Sequence, residues 1–281
     1  MKIKISADST CDYSKELMEK YNISYVPLYV NMNGKDYRDG VDISLEQLFE
    51  GVKQSGKLPK TAAASVADYE AAFEGYLSEG YDGVIHINIS SEFSACHQNA
   101  MTAAKKFSNV YPIDSRNLST GSGHLGLIAY DLAQEGVPAA EIAKRLDETA
   151  KKVEASFVID TLEYLHKGGR CSSIAKISAT VLSLKPCIEV KDGKMGVGKK
   201  YRGKLDACIE KYVKDRLMNR DDIDTKRIFV THTNCPANIV EHVKELIAQI
   251  KPFEQVMETI AGCTIGSHCG PATLGILFIR K

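Results

Sequence analysis

The sequence predicts an α/β fold in two domains, each a mainly parallel or mixed sheet flanked by helices, and three observations predict it. Short apolar runs recur, each followed by a hydroxyl-rich loop: Ile3 to Ala7 leads into Asp8-Ser9-Thr10, Val84 to Ile89 into Ser90-Ser91 with Ser94 just beyond, and Val110 to Ile113 into Asp114-Ser115. Runs of this kind read as buried strands of a parallel sheet. Segments with helical spacing alternate with them, as strand-helix units require. The chain has 281 residues, enough for two cores of ordinary size.

The elements follow in order. A strand at Lys2 to Ala7 precedes a helix from about Ser14 to Lys20, and Ile23 to Val30 is a second extended run containing Pro27. Asn33 to Asp39, rich in glycine and charge, reads as a turn. Ser44 with Gln47 forms a capping box, and Leu45, Leu48, Phe49 and Val52 continue at helical spacing to Gly56. After Thr61-Ala62-Ala63-Ala64-Ser65 comes a helix with Tyr69, Ala72, Phe73 and Tyr76 on one face, then the strand Gly83 to Ile89. Helices at about Phe93 to Phe107, Gly121 to Glu135 and Pro138 to Lys152 surround the strand Val110 to Ile113, which completes a first domain over 1–155.

A second domain over 156–281 opens with the strand Ser156 to Ile159. Leu162 to His166 is a short helix ended by Gly168-Gly169, and Ile174 to Leu184 is a mostly apolar helix that stops before Pro186. Ile188 to Val190 and Met195 to Val197 flank Asp192-Gly193, a hairpin signal. Helices at Lys204 to Leu217 and Pro236 to Ile250 alternate with strands at Arg227 to Thr231, Gln255 to Thr259 and Leu274 to Ile279.

Composition narrows the partners. Thirty-six basic residues balance thirty-six acidic ones, so no excess of positive charge marks a nucleic-acid or anionic-membrane surface. No run of about 18 apolar residues is present and the opening residues lack the pattern of a secretory leader, so no transmembrane segment and a cytoplasmic location are expected. The eight cysteines contain no Cys-x-x-Cys pair, which argues against a zinc site and for free, mostly buried thiols.

Strand-end hydroxyls in an open α/β sheet converge on the ligand crevice, and neutral donors suit an oxyanion better than a metal. The same residue types also serve as helix N-caps, loop by loop. Asp8-Ser9-Thr10-Cys11-Asp12, Thr61 to Ser65, Ser90-Ser91-x-x-Ser94, Asp114-Ser115, Leu162-Glu163-Tyr164-Leu165-x-x-Gly168-Gly169-Arg170, Lys185-Pro186 and His268-x-Gly270-Pro271 together resemble the DegV family, in the family's order and over essentially the whole chain. The resemblance implies a two-domain lipid carrier, a fatty acid-binding protein with no cofactor and no catalytic residue of its own. One long-chain fatty acid is held with its carboxylate in the interdomain cleft and its acyl chain enclosed. A separate ATP-binding fatty acid kinase subunit then phosphorylates the bound acid, in the service of phospholipid metabolism.

By that resemblance Thr61 and Ser94 hold the carboxylate directly, and Ser65 or backbone amides near Ser91 to Ala95 add donors. Arg170, a permanent cation after two glycines, and His268, in a glycine-bearing loop, are the next candidates for the head group. His86, His97, His124, His166, His232 and His242 read as structural or surface residues. The competing function is a small-molecule phosphoryl-transfer enzyme related to dihydroxyacetone kinases. It lacks a Gly-x-x-x-x-Gly-Lys-Ser/Thr loop here. A serine hydrolase is a weaker competitor, because Gly121-Ser122-Gly123 does not match the Gly-x-Ser-x-Gly elbow.

Overall fold

A computed structural model describes residues 2–171 and 184–281. The helix expected over 174–184 lies outside them except for its last residue, Leu184, which opens a strand. A parallel four-stranded sheet forms the first layer, in the order β2 (Ile23–Val26), β1 (Ile3–Asp8), β6 (Gly83–Asn88), β7 (Val110–Asp114). A six-stranded mixed sheet follows in the order β10 (Lys194–Arg202), β9 (Leu184–Lys191), β8 (Val153–Val158), β13 (Leu274–Arg280), β11 (Ile223–His232), β12 (Gln255–Ile260). Only β11 and β12 run parallel in it. A small antiparallel sheet, β4 (Lys35–Arg38), β3 (Tyr29–Met32), β5 (Lys60–Ala62), stands apart from both.

Side-chain alternation decides how the large sheet is covered. In β8 and β13, Ala155, Phe157, Leu277 and Ile279 join one apolar cluster while Val158, Leu274, Ile276 and Phe278 join the other, the period-2 pattern of a sheet buried on both faces. One face is covered by α8 (Leu205–Leu217) and α9 (Ala237–Ile250). The other meets α5 (Ser119–Gln134), which also packs against β1 and β6 and is therefore buried between the two sheets. Its Gly123 and Gly126 admit the Tyr13 ring, since a Cβ on Gly126 would stand 2.3 Å from the Tyr13 hydroxyl oxygen. The expected division between 155 and 156 falls within β8, and the cluster on the α5 side joins residues from both sheets.

Several expectations are corrected by local chemistry. The run Ile23 to Val30 is two strands in different sheets, because Pro27 has no N–H to continue a ladder. The stretch Asn33 to Asp39 is not only a turn: Asn33 and Gly34 at φ 55° and 83° fold β4 back on β3. The helix expected from Phe93 begins later, as α4 (Cys96–Ala104), and α5 begins at Ser119, earlier than Gly121. The Asp192-Gly193 hairpin is present, with φ 52° and 81° at its tip, and its strands are longer than expected. Pro186 is tolerated in β9 because the β9–β10 ladder is irregular between Val197 and Lys200, the residue that Pro186 faces. The glycine-bearing loop expected around His268 is instead a helix, α10 (Cys263–Cys269). Among the described residues the remaining α-helices are α1 (Lys15–Lys20), α2 (Leu45–Ser55), α3 (Val66–Ser78), α6 (Ala139–Ala150) and α7 (Glu163–Gly168).

Candidate functional site

Most strand-end hydroxyls do not face a ligand; they tie the scaffold together. The Asp8 carboxylate accepts from the Tyr69 hydroxyl at 2.6 Å, from Asn88 Nδ2 and from Ile89 N, and it faces His86 Nε2 at 3.1 Å. Ser9 accepts from Leu28 N and donates to Asp39. Ser90 donates to Gly193 O at 2.8 Å, Ser91 donates to Asp114, and Ser115 pairs with Ser122. Of the amides expected to add donors, those of residues 91 to 94 are engaged inside their own loop or by Asp114. In effect the motif from Asp8 to Asp12 grips the segments that carry Leu28, Ile89 and α10.

Those segments border a cavity with about 530 Å³ of empty space, part of it open to solvent. Thr61, Ser94, Arg170 and His268 are all on its wall. The rest is mainly apolar, with Leu28, Ile89, Phe93, Leu118, Met195 and Ile265 among the contributors. Leu118, Ile265 and Cys269 also line a second, smaller apolar cavity of about 310 Å³ that reaches Phe157 and Leu277. Ser65 is placed elsewhere: it is exposed and caps α3 in a reciprocal pair with Asp68.

Each wall residue has a local cause. Thr61 is fixed by the pairing of β5 with β3, where it stands opposite Val30. Ser94 ends the loop before α4, and its Oγ accepts from Cys96 N at 3.3 Å. Arg170 follows the α7 C-terminus, where Gly169 takes φ 69°, and donates to Gly168 O at 2.9 Å. Helix α10 is held from outside itself: Asp12 accepts from Gly262 N at 2.8 Å, and Asp39 accepts from Cys263 N at 2.7 Å and Thr264 N at 3.2 Å. Both carboxylates are buried, and burial pushes the Asp12 carboxyl well above its ordinary range.

His268 Nε2 lies 2.8 Å from Thr61 Oγ1, joining α10 to β5. Burial, and then the nearby Arg170 cation, push the His268 pKa down to about 4, so the ring is neutral at pH 7. Its Nδ1 is buried without a hydrogen-bond partner among the described residues and faces Gly168, where a Cβ would stand 2.4 Å away. A proton on Nδ1 would be a stranded donor, which favours the tautomer protonated at Nε2. In that form the ring donates to Thr61, and the Thr61 hydroxyl proton is free for another acceptor. The thiols nearby are poor nucleophiles, since burial pushes Cys96 and Cys269 up to about 12.

Sequence reasoning passed over Thr264, which lines the same wall as His268 one helical turn away. The i, i+4 spacing of Thr264 and His268 was the available signal. Gly266 obscured it, and so did the lack of a local N-cap, because Asp39 lies 224 residues from Cys263 in sequence. Among the described residues no group of His, Cys, Asp and Glu is placed to hold a metal ion, and no helix is long and apolar enough to cross a membrane.

The family model described as "Uncharacterised protein, DegV family" matches residues 2–281. A fatty acid-binding protein of Thermotoga maritima is 31% identical, the match covering 98% of this chain and 96% of that protein. The solved structure of a fatty acid-binding DegV family protein from Thermus thermophilus superposes with a TM-score of 0.87 at 29% identity, covering 100% of both chains. A stearic acid-binding protein from Eubacterium ventriosum gives a TM-score of 0.85 at 27% identity over 99% of this chain and 98% of that one. Matched from end to end in sequence and in fold, the chain belongs to the DegV family.

Proposed function

We propose that this protein binds one long-chain fatty acid, its carboxylate at Thr61 and Ser94 and its acyl chain running along the apolar wall toward the second cavity. The observation that carries the reading is the Thr61–His268 pair sharing a mainly apolar cavity with Ser94. A neutral His268 that donates to Thr61 turns the Thr61 hydroxyl into a donor for an anion, and Ser94, whose hydroxyl here donates to Cys96 Sγ at 3.1 Å, supplies a second one when it turns from that sulfur to the ligand. Relatives and structural neighbours described as fatty acid-binding support the assignment. Burying the fifteen or so carbons beyond the carboxylate at about 0.8 kcal/mol per CH₂ gives roughly 12 kcal/mol of gross stabilisation. Association and ordering offset about 4 to 15 kcal/mol, so the head-group hydrogen bonds decide whether binding is tight.

Uncharged donors leave the carboxylate oxygens nucleophilic. Arg170, exposed at the edge of the cavity, is placed to support charge there. We read this as presentation of the acid to a separate ATP-binding kinase subunit, with the phosphoryl-transfer chemistry on that partner. The test is a fatty acid titration of the Thr61→Ala, Ser94→Ala double variant. Each hydrogen bond to a charged group contributes about 1.5 to 3 kcal/mol, so affinity should fall by roughly a hundredfold or more with the fold retained. Unchanged affinity would move the head group elsewhere. In a reconstituted assay with a fatty acid kinase subunit at saturating lipid, Arg170→Ala should lower phosphorylation more than binding; equal losses would assign Arg170 to holding the ligand.

A further inference from the structure

We propose that the Thr264 hydroxyl is a third donor to the ligand's carboxylate, completing a set with Thr61 and Ser94; this rests on the fatty acid reading above. Thr264 is 4% exposed, lines the cavity, and its Oγ1 is buried with no hydrogen-bond partner among the described residues. A helical Thr or Ser normally satisfies itself on the carbonyl one turn back. Ser267, in the same helix, does so on Cys263 O at 2.7 Å, and Thr273 just beyond it bonds Cys269 O at 3.0 Å. Thr264 stands in the first turn of α10, where the residue four back is Ile260, the last of β12, so that route is closed.

The position is held firmly. Its own amide is anchored on Asp39 at 3.2 Å, and the next amide toward the N-terminus, that of Cys263, on the same carboxylate at 2.7 Å. Thr264 and His268 are i and i+4 on α10, so their side chains stand on one face, and both border the cavity. An acyl chain drawn across the hydroxyl would strand it, at the cost of an unmade buried hydrogen bond. A fatty acid offers one polar group that removes the penalty. Its two oxygens have more acceptor positions than Thr61 and Ser94 fill.

The experiment compares delipidated wild type with Thr264→Val, Thr264→Ser, and the Thr61→Ala, Ser94→Ala double variant, titrated with hexadecanoate and with hexadecanol. Valine keeps the shape and the backbone amide that Asp39 holds, so the folded helix is retained, and circular dichroism with thermal melting checks this. The expected result is a tenfold or greater loss of hexadecanoate affinity in Thr264→Val, a much smaller loss for the neutral alcohol, and recovery in Thr264→Ser. Hexadecanoate binding that is unchanged or tighter in Thr264→Val, while the double variant loses it, overturns the Thr264 assignment and leaves the fatty acid reading standing. Equal losses for acid and alcohol also overturn it, because packing would then account for the effect. No loss in any variant overturns the reading and the proposal together.

Discussion

A single imidazole illustrates how burial sets chemistry in this protein. His124 is buried in α5, bonds Leu277 O at 2.9 Å and packs edge-on against Phe229 at 4.9 Å. Burial pushes its pKa down to about 4, against about 6.5 in an unfolded chain. The native state therefore binds fewer protons than the unfolded one between those values, and the stability contributed by the neutral ring, on the order of 3 kcal/mol, is lost as pH falls from about 6.5 to 4. His268 acts in the same direction and the buried Asp12, with its raised pKa, in the opposite one. The wild type minus His124→Gln difference in denaturation free energy isolates His124: it should shrink across that window, and a difference flat with pH would contradict the assignment. At Gly168, by contrast, the constraint is steric. An added Cβ would meet His268 Nδ1, so Gly168→Ala should displace the ring from Thr61 and weaken fatty acid binding about tenfold, read by titration; unchanged affinity would show that the Thr61–His268 contact does not serve the ligand. Thr61, Ser94, Arg170 and His268 were named through the resemblance to the DegV family, and the structure brings all four to one cavity wall. Thr264 was not named, since its significance lies in a missing partner that only three dimensions expose.

Element by element, the sequence was most informative where periodicity and caps are local. The Ser44 capping box, the α3 face and the period-2 strands β8 and β13 follow from neighbouring residues. Helix α10 was hidden because both of its N-terminal anchors arrive from the other end of the chain, as Asp12 and Asp39. The hydroxyl-rich loops misled in a different way: Ser9, Ser90, Ser91 and Ser115 sit at strand ends as expected, yet their partners are Asp39, Gly193, Asp114 and Ser122 of the surrounding scaffold. Asp39→Ala should release the first turn of α10, stranding two backbone donors at about 1 to 3 kcal/mol each. Hydrogen exchange should then quicken at Cys263 and Thr264 far more than in α9. Equal protection in the variant would mean that packing alone holds the helix.

At the scale of the whole molecule, the cavity exists because one apolar cluster is shared between the two large sheets, with α5 buried between them and the Asp192-Gly193 hairpin tip tied to Ser90. That continuity could not be read from the sequence, where alternating strands and helices divide naturally near residue 155. The fold class was accessible from pattern; the strand order of the sheets, and the way one sheet's loops wall a site with the other's helix, were not. A ligand that fills such a seam binds the folded state alone and should raise the melting temperature with its concentration. The central claim is that the seam holds a fatty acid, and the most direct measurement is denaturing mass spectrometry of an organic extract of the purified protein, calibrated against protein concentration. The account predicts close to one long-chain fatty acid per chain in the wild type and far less in the Thr61→Ala, Ser94→Ala variant. A wild-type protein that carries no fatty acid and takes up none when hexadecanoate is supplied would contradict it.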